Sequence, residues 1–374
     1  MTESLRILVS GMVARDPSQG GAAWAVLQYV VGLRRLGHDV LLVEPVDRVN
    51  PERVERFRQV SSEFALRNDA ALLVTSDGST VGLPYERLVE RCRGVDVLLN
   101  VSGMLVDPRL LESIPIRVYL DLDPGFNQLW QSVHDIDMRL DGHTHFVTVG
   151  QCVGQPGCSV PTLGLEWIPT LPPVVLTLWP AAGAPSRAFT TVGNWRSYGS
   201  IEHEGVRYGQ KAHSLRRLVE LPRRSPERFE LALSIHPDER ADLALLARNG
   251  WRLVDPSRTA GTTSAYRDFI QASRAELCIV KSGYTATASG WFSDRSACYL
   301  ASGRPVVAED TGFASTLPTG SGLLSFSSVD DAADAVDEVL SAYPRHRRDA
   351  RLLAEEYFES DRVLSRLLER VSAT

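Results

Sequence analysis

The stretch ELCIVKSGYTATASGWFSDRSACYLASGRPVVAEDTG, Glu276–Gly312, decides how this chain is read. It opens on an apolar strand over Leu277–Val280 and passes through a loop of Gly, Ser and Thr. A short helix follows at about Asp294–Ala301, then a second apolar strand over Pro305–Ala308. A small-residue loop at a helix start leaves backbone N–H groups free, with no Cβ to block a ligand. The positive end of the helix dipole adds to the attraction for an anion. Ser293 or Asp294 is placed to cap that helix, and Ser289, Gly290 and Arg295 belong to the same candidate anion site.

Working outward, the first half alternates short apolar strands with helical patterns, the signature of βαβ units on a parallel sheet. Strands are predicted at Leu5–Ser10, Asp39–Val43, Ala71–Thr75, Val95–Asn100, Ile116–Leu122 and His145–Val149. Between the first two, Ala23, Val26, Leu27, Val30 and Leu33 recur at helical spacing, and Gly37 marks the stop. Residues Ile168–Pro185 are proline-rich and read as a linker. The alternation then restarts, with strands at Phe189–Val192, Phe229–Ser234, Trp251–Val254 and Leu323–Phe326, and helices at Val329–Ala342 and Arg345–Arg370.

Taken together, the patterns predict an α/β chain of two Rossmann-like parallel-sheet domains facing a cleft. The expected boundaries are 1–167, a linker at 168–187, 188–343, and helices at 344–374 that pack back on the first domain. At 374 residues the chain is too long for one core and suits two. A net charge of −6 argues against nucleic acid and anionic membranes as partners. No apolar run reaches 18–20 residues and no leader precedes the first strand, so a cytoplasmic protein without an integral membrane segment is expected. Five scattered cysteines make no disulfide framework. Cys152 and Cys158, even with His143 and His145 nearby, fit no common zinc spacing.

Of 40 cationic side chains, 38 are arginine and only Lys211 and Lys281 are lysine. Both fall in segments where a phosphate contact is expected, and an ammonium is a compact point charge for a phosphate. The loop Gly11–Gly21 after the first strand carries Gly20 and Gly21 at a helix start, where backbone amides can meet a phosphate or a sugar hydroxyl. It lacks the Gly-x-Gly-x-x-Gly fingerprint, and Glu44 lies more than thirty residues from Gly11, so a dehydrogenase is not predicted. In VYLDLDPGFNQLW, Val118–Trp130, Asp121 and Asp123 share one face of a strand end. One of these, or His134, is the candidate base for an acceptor proton. The competing reading makes Asp123 a helix N-cap with Pro124 at the first helical position.

These motifs resemble the GT-B glycosyltransferases. Ser302–Val307, SGRPVV, is similar to that family's Cys-Gly-x-Pro-Val-Val, and Asp310-Thr-Gly312 to its Asp-x-Gly. Ser289–Ser296, SGWFSDRS, resembles a bacterial subgroup more than the well-studied members. FTTVGNWRSYG with GQKAHSLRRLVEL resembles the segment whose Arg and Lys hold the donor diphosphate, which assigns that part to Gly193, Arg196 and Lys211. The paired glutamates of retaining members are missing, with Gly290 and Cys298 about where they would stand and Asp294 the nearest carboxylate. An Asp-x-Asp pair suggests the metal site of the GT-A fold, but the two-domain layout speaks against it.

The resemblance implies a metal-independent glycosyltransferase with no cofactor. Its co-substrate would be a nucleotide-sugar, UDP-linked first of all, and its acceptor a small molecule or a glycan. A nucleotide-sugar 2-epimerase and a non-catalytic nucleotide-binding scaffold share the fold and stand as alternatives. The arginine-for-lysine bias suggests a bacterial source of high GC content. The sequence assigns no oligomeric state.

Overall fold

The computed structural model describes residues 4–373. The first half is an eight-stranded sheet of β1 (Arg6–Ser10), β2 (Asp39–Val46), β3 (Ala70–Val74), β4 (Thr80–Gly82), β5 (Val97–Val101), β6 (Ile116–Asp121), β7 (His145–Thr148) and β8 (Trp167–Pro169). Its order is β4-β3-β2-β1-β5-β6-β7-β8, with only β4 antiparallel. The central strands are apolar through their middles because helices cover both faces, and Ile7 to Val9 and Val97 to Leu99 are all buried.

The second half builds a six-stranded parallel sheet around β9 (Phe189–Asn194), which is followed by a short separate hairpin of β10 (Ile201–His203) and β11 (Val206–Tyr208). The other strands of the sheet are β12 (Phe229–Ser234), β13 (Arg252–Leu253), β14 (Ala275–Cys278), β15 (Val306–Glu309) and β16 (Leu323–Phe326), in the order β13-β12-β9-β14-β15-β16. The order reverses between β9 and β14. Strand ends flanking such a reversal splay apart, and the crevice beyond their carboxyl ends is where open α/β sheets take ligands.

Helix Gly20–Arg35 buries Ala23, Trp24, Val26, Leu27, Val30 and Leu33. It stops where Gly37, at φ +90, turns the chain in the left-handed region. Against the same helix lies the last helix, Ser360–Ser372, brought back from the second half. Gly32 makes room for it: a Cβ there would stand 2.5 Å from Leu364 Cδ1.

Three elements depart from the sequence reading. The predicted helix Arg345–Arg370 is broken into Tyr343–Leu353, a π-helical turn at Ala354–Phe358, and Ser360–Ser372. The cause lies in the proline-rich stretch: the Val174 N–H donates to Phe358 O and its carbonyl accepts from the Ser360 N–H, so the segment pairs with the chain at the break. That stretch also starts inside β8 rather than as free linker. Finally, the loop after β14 contains a helical turn, Ser282–Thr287.

Candidate functional site

A cavity of about 570 Å³ opens beyond the carboxyl ends of β9 and β12. Its floor is Val192, Gly193 and Asn194 from β9 and Leu233, Ser234 and Ile235 from β12. One wall is Asp255, Pro256 and Ser257; another is Asp294 and Arg295 at the start of helix Asp294–Ala301. The roof comes from the other half, with Asp16, Ser18 and Gln19 of the loop after β1 and Gly21 and Ala22 of the helix that follows it. Both halves therefore build one site.

Arg295 is the cation of this cavity. Its guanidinium is fixed by Glu276 (Nε–Oε1 2.5 Å), the Val192 carbonyl (2.9 Å) and Cys278 Sγ (3.2 Å). Burial works against its charge, but Glu276 together with the neighbouring Cys278 and Tyr266 outweighs it and keeps the guanidinium protonated. Ser293 caps the helix, accepting from the Arg295 N–H. Asp294 is free of that duty and faces the cavity. Burial pushes its carboxyl up, against the pull of Arg295.

Lys211 begins helix Lys211–Arg217 and is buried, its Nζ donating to the Ile279 carbonyl. It lies directly beneath the floor: a Cβ at Gly193 would come within 3.3 Å of Lys211 Cε. Burial, with the charge of Arg295 adding to it, pushes the ammonium down to about 8. Below the floor Glu309 pairs with Arg217 at 2.6 Å and accepts from the Val280 N–H.

Other residues singled out by sequence serve the protein's own structure. Asp121 is fully buried and cannot take a proton from a substrate. Its oxygens accept from Asn127, Gln128, Thr148 and the Asp123 N–H, and burial raises it to about 6. Asp123 neither caps a helix, since helix Phe126–His134 starts from Gly125, nor stands free: it pairs with Lys281 of the other half at 3.0 Å. That pairing also takes Lys281 away from a donor phosphate. Exposed at the end of its helix, His134 does not line the cavity. Arg196 points to Glu239 at 2.5 Å and is likewise absent from the lining.

The glycines are corrected in the same sense. Gly20 is needed because the other half comes close: a Cβ would lie 2.2 Å from the Thr262 carbonyl. Gly21 borders the cavity and abuts the Tyr266 ring. Ser289 and Gly290 join the halves rather than a ligand. The Ser289 carbonyl accepts from the Cys152 N–H at 3.0 Å, and a Cβ on Gly290 would meet Cys152 Sγ at 2.7 Å. Asp310 closes its own turn onto the Gly312 N–H.

Sequence reasoning missed two parts of the site. Asn194 and Ser234 end β9 and β12, and a polar residue closing an apolar strand was the available signal. Glu44, given no part in the site by its sequence position, is fully buried and accepts from the N–H groups of Val13, Ala14 and Arg15, at 3.0, 2.8 and 2.6 Å. It shapes the loop that continues into the roof. An acid amid an apolar strand, LLVEPV, was its mark.

Two facing parallel sheets, a crevice at the strand-order reversal and a last helix crossing back define the architecture, and solved structures share it across the chain. The chain has the GT-B fold. An alpha-glucosyltransferase in complex with UDP superposes with a TM-score of 0.63 at 11% identity, covering 99% of this chain and 100% of that one. HepE from Anabaena, in complex with UDP and glucose, gives 0.60 at 12%, covering 99% and 100%. AviGT4, a glycosyltransferase involved in avilamycin A biosynthesis, gives 0.57 at 15%, covering 98% and 97%. No family model and no curated protein sequence matches the chain. No helix among the described residues is long and apolar enough to cross a membrane.

Proposed function

We propose that this protein is a glycosyltransferase that takes a sugar from a nucleotide-diphosphate donor, UDP-linked first of all, and passes it to a small-molecule or glycan acceptor in the cytoplasm. The observation that carries the reading is the cavity shared by the two halves beyond the ends of β9 and β12, bordered by Gly193, Asp294 and Arg295. Glycosyltransferase neighbours solved with UDP or UDP-glucose support a nucleotide-sugar as its occupant. As the sugar–phosphate bond breaks, negative charge grows on the departing diphosphate, and fixed positive groups aimed at it lower the barrier. Arg295 is held rigid for this part, and Lys211 adds its field from below Gly193. Asp294 is assigned to hydroxyls of the ribose or the sugar. In this reading protein cations, not a metal, meet the diphosphate, so activity should survive a chelator.

The test is a panel of UDP-, GDP- and TDP-sugars. Ligand at one hundred times its Kd should raise stability by about 2.7 kcal/mol, read as a shift in melting temperature. No shift from any nucleotide would refute the proposal. One observation favours a second reading, a nucleotide-binding protein without turnover: Gly290 and Cys298, at the positions of the missing glutamates, are packed inside the protein, Cys298 behind Gln28. Binding without release of free nucleotide, over a wide acceptor panel, would select it. Release without an acceptor would select the epimerase.

A further inference from the structure

Outside the cavity, the strongest cluster of charged and aromatic groups joins the two halves. Asp123 and Phe126 come from the loop and helix after β6, Tyr198 from the segment between β9 and β10, and Lys281 and Tyr284 from the segment after β14. The Asp123 carboxylate accepts from Lys281 Nζ at 3.0 and 3.3 Å and from the hydroxyls of Tyr198 and Tyr284. Lys281 lies 4.1 Å from the centre of the Tyr198 ring, 5.1 Å from that of Phe126 and 5.3 Å from that of Tyr284. The Lys281 side chain is 18% exposed and that of Asp123 24%.

We propose that the Asp123–Lys281 pair is a latch that keeps the two halves closed on each other without any ligand. Three physical features support it. The ammonium is caged by aromatic faces, where a cation gains more than at an exposed site. The carboxylate has donors from two tyrosines besides the lysine, so opening would strip it of every partner across the interface at once. Next to the pair, hydrogen bonds cross between the halves, from the Cys152 N–H to Ser289 O and from the Ser159 N–H to Thr287 O. These last only while the halves stay together. The inference rests on this geometry and not on the proposed reaction.

Hydrogen exchange of the unliganded protein tests it. Lys281→Met keeps the side-chain stem in the cage and removes the charge. In that variant the amides of Cys152 and Ser159 should exchange about ten-fold faster, the factor for each 1.4 kcal/mol lost from the closed state. Amides of β1 and β9, interior to each half, should keep their wild-type protection. Unchanged exchange at Cys152 and Ser159 would overturn the latch, and so would an equal acceleration everywhere. Should Lys281→Met fail to fold, Tyr198→Phe removes one hydroxyl donor and should accelerate the same two amides by about three-fold, half of that loss on a logarithmic scale; no acceleration would overturn the latch.

Discussion

Lys211 is charged at neutral pH at a site that disfavours charge, which gives it a pH signature that no neighbour shares. Its ammonium falls from an ordinary 10.5 to about 8 in the folded chain. Below pH 8 both folded and unfolded chains carry the proton, and the folded state bears the full cost of the buried charge. Between about pH 8 and 10.5 the unfolded chain binds more protons, so this residue's contribution makes stability rise with pH. The whole difference is about 3 kcal/mol, at 1.36 kcal/mol per unit. Subtracting the pH dependence of Lys211→Met from that of wild type should expose the rise, measured by urea unfolding from pH 7 to 10.5. A flat difference curve would show that Lys211 is not desolvated. The same residue explains what composition conveyed and what it withheld. Scarcity of lysine pointed to Lys211 and Lys281, yet one donates to a backbone carbonyl and the other pairs with Asp123. Scarcity registers a constraint without naming the partner. Gly20 and Gly290 behave alike: a glycine records that something comes close, here the other half of the protein.

At the scale of elements, the legible parts were those with apolar, buried centres. β3 and β5 are buried end to end and β1 from Ile7 onward, and apolar runs announced each of them. The hairpin β10–β11 was not legible, because IEHEGVRY is mostly polar and only the left-handed Glu204 and Gly205 mark its turn. Nor was the break before Ser360 legible, since it is imposed by Val174, nearly two hundred residues away. The loop after β1 was read for its glycines, while its shape comes from Glu44 on the neighbouring strand. Glu44→Gln replaces one of two acceptor oxygens with a donor that faces an N–H. The variant should lose about 1–3 kcal/mol, the penalty of a buried group left unsatisfied. Exchange at Val13–Arg15 should accelerate more than exchange in β2. Because residues 16–22 continue into the roof of the cavity, nucleotide affinity should fall with it. Wild-type protection of Val13–Arg15 would show that the loop holds its shape without the carboxylate.

At the scale of the whole molecule, the two halves differ from beads on a linker. One apolar cluster runs from Ile7 and Leu27 in the first half through Tyr266, Tyr299 and Val306 in the second to Leu364 and Leu367 on the returning helix. Polar bonds follow the same seam, with the Trp24 indole donating to Thr263 O at 2.8 Å and Arg56 to Gly261 O at 3.0 Å. Opening this seam fully would expose apolar surface, at about 25 cal/mol for each Å², together with unpaired polar groups. Neither half should therefore persist alone. Calorimetry should give a single transition in which the calorimetric and van't Hoff enthalpies agree, the mark of one cooperative unit. Two resolved transitions, or a van't Hoff enthalpy near half the calorimetric one, would mean that the seam contributes little. Motion between the halves would then be large, not the small parting that the Asp123–Lys281 latch implies.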